Sequence, residues 1–414
     1  MIKIFKKHAL TAVTVSRKFY DRNYEISIYD QVSNLIMEAT DQDSKDSFRI
    51  SSSANGGIKV GILSLTSRFS GKIAENMALQ AGANVVFSNT LNQLKPKSTE
   101  FVDALIVVGG IDHPNLSKVR ESIVRAKVED YNFHNLIYAG NSYIAEEFQS
   151  NYSNAIVSPN PLSDDLSRGE DHLTEIVRSM YLDDLIGKVN VIDLQDLSEV
   201  PIWPTPAVVN MACENITKGK SCFTFPSPTV FFDIGGATTD VHFGIEVLDK
   251  DNFARLETYA SFNRFVFTEL GVVSSRQSTI DRLSSHERLY EFLSLFHKVE
   301  TTGAYADVIE GVVDETILFA ACMFLALDEM TQTNPNTVPT LVPSKIGSIV
   351  ITGGASQKID PHRASEITKM FLPAEFSSGI PIFSDADYEI WTEGAMMVPR
   401  RFDAVNQGVN KVEG

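Results

Sequence analysis

Glycine is missing from residues 1–50, although the whole chain carries 24 of them. A turn that cradles a phosphate needs glycine where the backbone approaches the ligand, so the opening segment offers no such turn. Cysteine is scarce too. Cys213, Cys222 and Cys322 form no zinc or disulfide spacing, which excludes a disulfide scaffold and predicts buried thiols in a reducing compartment. Positive charge is short, with 36 Lys and Arg against 53 Asp and Glu and a net charge of −17. A nucleic-acid partner is excluded, because phosphate backbones need clustered Lys and Arg. No apolar run is long enough for a bilayer. The longest, Ile317 to Leu327, is closed by Asp328 and reads as a core helix. The histidines show no metal or cobalamin pattern. Gly219-Lys220-Ser221 ends like a Walker loop, but Glu214 stands where that loop needs its first glycine. The N-terminus carries Lys3, Lys6, Lys7, Arg17 and Lys18 before any acid. Its apolar stretch Ala9 to Val15 is short and no cleavage pattern follows, so a cytoplasmic location is expected.

What is present centres on Phe231-Phe232-Asp233-Ile234-Gly235-Gly236-Ala237-Thr238-Thr239-Asp240. An apolar strand runs into an acid, two glycines and two threonines, and then alternation begins. Val241, Phe243, Ile245 and Val247 alternate with His242, Gly244 and Glu246, the period of a half-buried strand. The motif therefore sits at a hairpin turn. The dinucleotide fingerprint and the Walker loop both open a helix instead. Such a turn suits a nucleotide phosphate and its magnesium. Glycine amides approach phosphate oxygens, and the carboxylate with the hydroxyls serves the ion and its waters.

The chain's 414 residues predict two or three domains. Residues 51–160 alternate short apolar strands with helices. Strands are expected at Lys59–Leu65, Val85–Phe87, Ala104–Val108, Leu136–Ala139 and Ala155–Val157. Helices are expected at Ser67–Gln80, ended by Gly82, at Asn115–Ala126 and at Tyr143–Phe148. This is a doubly wound parallel α/β unit. Residues 161–227 read as connecting segments, with a strand at Val189–Ile192, a rigid Pro-Ile-Trp-Pro-Thr-Pro connector at 201–206 and a helix at Pro206–Ile216. Residues 228–414 open with the hairpin. A third strand is expected near Leu256–Ala260. Leu289, Phe292, Leu293 and Phe296 form one helical face, and Ile309, Val313, Ile317, Ala320 and Phe324 a longer one. A strand at Ser348–Thr352 precedes helices at Ala364–Phe371 and Tyr388–Val398. Three strands, a helix, a strand and a helix is the order of a ribonuclease-H-like half of an actin-type ATPase.

The strand at Ser348–Thr352 ends in Gly353-Gly354-Ala355-Ser356. Two glycines there let an adenosine lie flat against backbone, and Ser356 caps the next segment. The order of this turn and the Asp233 hairpin is that of the two walls of one nucleotide cleft.

These residues together resemble the MutL family of the glutamate mutase system, part of the actin–hexokinase–chaperone ATPase superfamily. The likeness rests on Ser51-Ser52-Ser53-Ala54-Asn55-Gly56-Gly57-Ile58-Lys59, Gln80 to Val85, Leu105 to Asp112, Ala139-Gly140-Asn141, Pro204 to Ala207, Asp233 to His242 and, weakly, Arg264 to Gly271. The resemblance implies an actin-like domain with the doubly wound unit inserted before it, and residues 1–50 as a remnant of the N-terminal half. It implies ATP and Mg2+ as cofactors. Asp233 would hold the metal or order the attacking water. Gly235 and Gly236 would contact the phosphates, Thr238 and Thr239 would add hydroxyls, and Asp240 would stabilise the loop. Gly353, Gly354, Ala355 and Ser356 would form the adenosine wall. It further implies an ATP-dependent reactivating role toward an adenosylcobalamin-dependent aminomutase.

One family feature is not found. The superfamily begins with an Asp-x-Gly-Ser/Thr phosphate turn, and residues 1–50 contain none. The expected activity is therefore a weak ATPase at most. Two other readings stay open: a nucleotide-binding or interaction protein without turnover, and a small-molecule kinase on the same fold. The client mutase and the oligomeric state are not written in the sequence.

Overall fold

The computed structural model describes residues 2–6, 13–15, 48–52, 58–91, 100–124, 126–165, 168–188, 203–249, 260–297, 314–331, 339–372 and 379–398. Three sheets organise them. In the first, β1 (Ile2–Lys6) pairs antiparallel with β2 (Val13–Val15) and with β3 (Phe48–Ser52). The register sets Ile2 against Ser52 and Lys6 against Phe48.

The second sheet holds β4 (Lys59–Ser64), β5 (Asn84–Thr90), β6 (Phe101–Gly109), β7 (Asn132–Gly140) and β8 (Ile156–Val157). All pairings are parallel and the order is β5-β4-β6-β7-β8. That is the flavodoxin-like doubly wound order, as the alternation of apolar runs predicts. After β4 comes a π-helical turn, Ser67–Gly71, that continues into α1 (Lys72–Gln80). Then follow α2 (Ser117–Val124), α3 (Ala145–Asn151) and α4 (His172–Lys188). The sheet's two faces carry separate cores. One joins Ile62, Ile106 and Ile137 to Ile73 and Met77 of α1 and Leu173 and Val177 of α4. The other joins Leu105, Val107 and Tyr138 to Ile123 of α2 and Phe148 of α3. Gly82 ends α1 with φ +94°. Its N–H and that of Ala83 bond the Leu79 and Ala78 carbonyls, each at 3.0 Å, a left-handed cap that favours glycine.

Strand β9 (Trp203–Pro204) returns to the first sheet, parallel to β3, and leads directly into α5 (Thr205–Thr217). The third sheet follows. Strands β10 (Thr229–Ile234), β11 (Thr239–Gly244) and β12 (Phe262–Phe267) form an antiparallel meander. After helices α6 (Arg276–Ser284), α7 (Leu289–His297) and α8 (Glu315–Thr331), β13 (Ser348–Thr352) joins parallel to β10. Helix α9 (Pro361–Phe371) leads to β14 (Ile382–Ser384), parallel to β13, and α10 (Glu389–Met397) follows. The order β12-β11-β10-β13-β14, with three antiparallel and two parallel members, is the ribonuclease-H-like topology expected of the actin-like class. One face packs on α8, whose residues Ile317 to Leu327 are all buried. The other packs on α5 and α10, where Ala207, Val208 and Ala212 meet Trp391 and Ala395. The helices approach closely at Gly394, where a Cβ would stand 2.1 Å from the Val208 carbonyl oxygen.

Two expectations are corrected. The strand after the hairpin bend stops at Gly244, and Ile245–Val247 forms a 3-10 turn. All six residues of β11 are buried, so its alternation is not that of a half-buried strand. The third strand lies at Phe262–Phe267, beyond the Leu256–Ala260 run. Ala260 has no regular structure, and Leu256 to Tyr259 lie outside the described residues. So do Ser53 to Gly57, Val189 to Ile192, Ile309 and Val313. No helix among the described residues is long and apolar enough to cross a membrane.

Candidate functional site

Burial fixes the hairpin. Phe231 and Phe232 are fully buried on opposite faces of β10, each stabilising the strand by about 1.5–3 kcal/mol. This holds Asp233 at the strand's end, 7% exposed. Asp233 is paired in register with Asp240 on β11 and with Thr352 on β13.

The bend is closed by the Gly235 N–H, which donates to the Thr238 carbonyl at 2.8 Å. The carbonyls of Gly235, Gly236 and Ala237 are tied to one side. The Gly235 oxygen accepts from the Val272 N–H at 3.1 Å. The Gly236 oxygen accepts from Val273 at 2.8 Å and Ser274 at 2.6 Å. The Ala237 oxygen accepts from the Ser275 hydroxyl at 2.6 Å. In a trans peptide the C=O and the following N–H point in opposite directions. The N–H groups of Gly236, Ala237 and Thr238 are therefore turned away from the 272–275 segment together. Successive amides aimed one way form an anion-binding concavity.

Like charges directly opposite on a hairpin repel, and Asp233 faces Asp240. Arg264 on β12 relieves this. Its Nη2 and Nε lie 2.6 and 2.8 Å from Asp240 Oδ1. The second Asp240 oxygen accepts from the Thr238 hydroxyl at 2.9 Å. Asp240 thus ties the bend to its neighbouring strand. His242, opposite Arg264 in register, is fully buried and shares a hydrogen bond with Asn210 of α5 at 2.9 Å. Burial, and then the Arg264 charge, hold its imidazole well below the usual range and neutral. The Thr239 hydroxyl turns to the opposite face and donates to the Leu270 carbonyl at 3.1 Å.

The Gly353 turn abuts the same acid. Gly353 has φ +96°, and a Cβ there would lie 2.4 Å from Asp233 Oδ1 and 2.5 Å from the Ile234 carbonyl oxygen. Only glycine fits so close to the strand end. At Gly354 nothing lies within 4 Å of the equivalent position, so this part of the wall is open. The Ala355 N–H donates to Ile234 O at 3.1 Å. Ser356 Oγ is buried within hydrogen-bond distance of the Gly353 and Asp385 carbonyls, at 2.7 and 2.9 Å. It braces the turn.

Asp385, just after β14, carries no sequence signal of its own. Its carboxylate accepts from the Thr352 hydroxyl at 2.8 Å and from the Glu389 N–H at 2.8 Å, at the start of α10. Burial raises its pKa against these hydrogen bonds. Burial also raises the Cys213 thiol and the Tyr388 phenol, and Asp233 and Asp385 push both further in the same direction. The structure therefore gathers Asp233, Gly235, Gly236, Thr238, Asp240, Gly353, Gly354, Ala355 and Ser356 around the ends of β10 and β13. Arg264, His242, the 272–275 clasp and Asp385 join them. Of these, alternation could have flagged only His242, which it places on the same face as Asp240.

No group of three or more His, Cys, Asp or Glu among the described residues could hold a metal by itself. The donor set of one terminal carboxylate beside anion-binding amides fits Mg2+, which takes one or two carboxylates and completes its shell with phosphates and water.

Among known proteins, the profile of a family described as MutL protein matches residues 7–327. The protein MutL of Clostridium tetanomorphum is 24% identical over 199 residues, which cover 46% of this chain and 43% of that protein. The chain thus spans less than half the length of this curated relative. A solved structure of a non-polymerisable quadruple mutant of pCBH ParM matches 68% of this chain and 76% of its own, at 11% identity and a TM-score of 0.22.

Proposed function

The chain belongs to the MutL protein family, and from that premise we propose that it binds ATP with Mg2+ at the β10–β11 bend and serves an adenosylcobalamin-dependent aminomutase, such as glutamate mutase, as a reactivating chaperone in the cytoplasm. The observation that carries the nucleotide reading is the bend itself. The carbonyls of Gly235, Gly236 and Ala237 are tied to residues 272–275. The N–H groups of Gly236, Ala237 and Thr238 are turned together the other way, next to Asp233, while the Gly235 N–H is taken by the Thr238 carbonyl. Gly236, Ala237 and Thr238 donate to the β- and γ-phosphates. Asp233 holds the metal's side of the triphosphate. Asp240 fixes the Thr238 hydroxyl, and Gly353 with Gly354 offers the flat wall for adenosine. Bound Mg2+ supplies charge neutralisation on the phosphate oxygens. Residues 228–414 form the nucleotide-binding domain, and residues 51–160 a unit inserted before it.

Turnover is expected to be slow. Residues 1–50 contain no Asp-x-Gly turn, so a second phosphate clamp is not supplied from there. This favours, as a second reading, nucleotide binding without hydrolysis. Chaperone action needs two states that bind the client differently, and ATP against ADP provides them only if hydrolysis occurs. Isothermal titration with ATP and Mg2+, set beside a phosphate-release assay, separates the two. Binding with slow release stimulated by the mutase supports the chaperone. Binding without release leaves the second reading, and no heat of binding refutes both.

A further inference from the structure

Arg264 joins Asp240, beside the bend, to the doubly wound unit. Arg264 spends two nitrogens on Asp240 Oδ1 and donates with the third, Nη1, to the Leu79 carbonyl at 2.5 Å. Leu79 lies in the last turn of α1, where the helix dipole is negative and a cation is favoured. Both side chains of the ion pair are under 5% exposed, and a pair so far from water is screened little by solvent. The end of α1 has further ties. Gln80 Nε2 donates to the Phe262 carbonyl of β12 at 3.2 Å, and Gln80 Oε1 accepts from Arg168 at 2.7 Å. The turn at Gly82 lies against Pro204, the residue before α5. Leu79 and Arg264 are 185 residues apart in the chain.

We infer that Arg264 couples the nucleotide site to the doubly wound unit, so that phosphates on the bend change how firmly the end of α1 is held. This inference rests on the nucleotide reading above. A phosphate received by the Gly236–Thr238 amides competes for the Thr238 hydroxyl, the partner of Asp240 Oδ2. Asp240 then leans on Arg264 alone. A guanidinium is a rigid planar fork, so it cannot follow Asp240 without altering its bond to Leu79. His242, held neutral beside it, adds no competing charge. The doubly wound unit thereby registers whether the bend is filled, without touching nucleotide.

Hydrogen–deuterium exchange of the whole protein, with and without MgATP, tests this. The amides of Gly82 and Ala83, bonded to Leu79 and Ala78, report on the end of α1. The amides of residues 235–240 report on occupancy. In the native protein both sets respond, the α1 set by about fivefold or more, the low end of ordinary coupling between sites. Arg264→Lys replaces the fork by a single ammonium that cannot span both partners. With MgATP raised until residues 235–240 are equally protected, the α1 response is lost. Gln80→Ala leaves the Arg264 bonds in place and keeps the response, which provides a test even if Arg264→Lys does not fold. An unchanged response in Arg264→Lys, a response lost in Gln80→Ala, or a native α1 end indifferent to MgATP while the bend responds would each overturn the coupling. If residues 235–240 do not respond in the native protein, the nucleotide reading itself fails and the coupling falls with it.

Discussion

Replacing Gly353 by alanine places a methyl group where the structure leaves no room. The new Cβ would stand 2.4 Å from Asp233 Oδ1, 2.5 Å from Ile234 O and 2.8 Å from Ile234 N. Ordinary carbon contacts lie at about 3.5–4.0 Å. Two of the three atoms are backbone of a central strand, so the movable one is the Asp233 carboxylate. The left-handed φ of +96° adds about 1–2 kcal/mol for any residue with a Cβ. Overpacking a fixed core adds about 1–3 kcal/mol. The variant should therefore lose about 2–5 kcal/mol of stability and, because Asp233 is displaced, most of its affinity for MgATP. Gly354→Ala is the matched control. Nothing lies within 4 Å of its Cβ, so its stability should change by no more than about 0.5 kcal/mol. Thermal unfolding with and without MgATP, together with titration calorimetry, reads both effects. Equal midpoints for the two variants, or full nucleotide affinity in Gly353→Ala, would refute the close fit between the two walls.

Arg264→Met leaves Asp240 charged and buried, and should destabilise the protein by about 3–5 kcal/mol, with much of the loss recovered when Asp240→Asn is added; denaturant melts of the double-mutant cycle measure it. His242 is fully buried among Asn210, Arg264 and Asp240 on its face, and its folded pKa lies well below its ordinary value. Below about pH 6.5 the unfolded chain takes a proton on this histidine that the folded chain refuses, so the contribution of His242 to stability falls as pH drops, by up to about 1.4 kcal/mol per unit, and is constant above that. His242→Phe should reduce the slope of unfolding free energy between pH 5 and 6.5; an unchanged slope would contradict the buried neutral imidazole. Against the expectation of three buried thiols, Cys222 is exposed, while Cys213 and Cys322 are buried, and burial pushes the Cys322 thiol up to about 12. A thiol reagent should modify one cysteine in the native protein and three after unfolding.

Much of this was legible in the sequence wherever one local rule decides. The bend was, because an apolar strand entering Asp-Gly-Gly has few other uses. Strand β13 was, because Ser348 to Thr352 is bounded by Gly347 and Gly353. The doubly wound unit was, since buried parallel strands read as continuous apolar runs. The misses share a cause. Strand β12 begins Phe262-Asn263-Arg264, and its polar residues hid it. Asn263 closes a local turn by bonding the Ala260 backbone at 2.7 and 3.0 Å, and Arg264 is paid for by Asp240 and Leu79. Strand β11 was expected to be half wet because His242, Gly244 and Glu246 alternate with apolar residues, yet His242 finds its partner on α5 and Asp240, at the strand's start, finds its own on β12. Long-range pairing of polar groups leaves no periodicity to read. The role of Asp385 was hidden for the same reason.

The central claim is that the amides of Gly236 to Thr238 and the Asp233 carboxylate receive a magnesium-bound triphosphate. A crystal structure of the protein with a non-hydrolysable ATP analogue and Mg2+ tests it most directly. The account predicts phosphate oxygens within hydrogen-bond distance of those three N–H groups, the metal on the Asp233 side, and the nucleoside over Gly353 and Gly354. Analogue density elsewhere, with the bend empty or closed by the protein's own side chains, would contradict it.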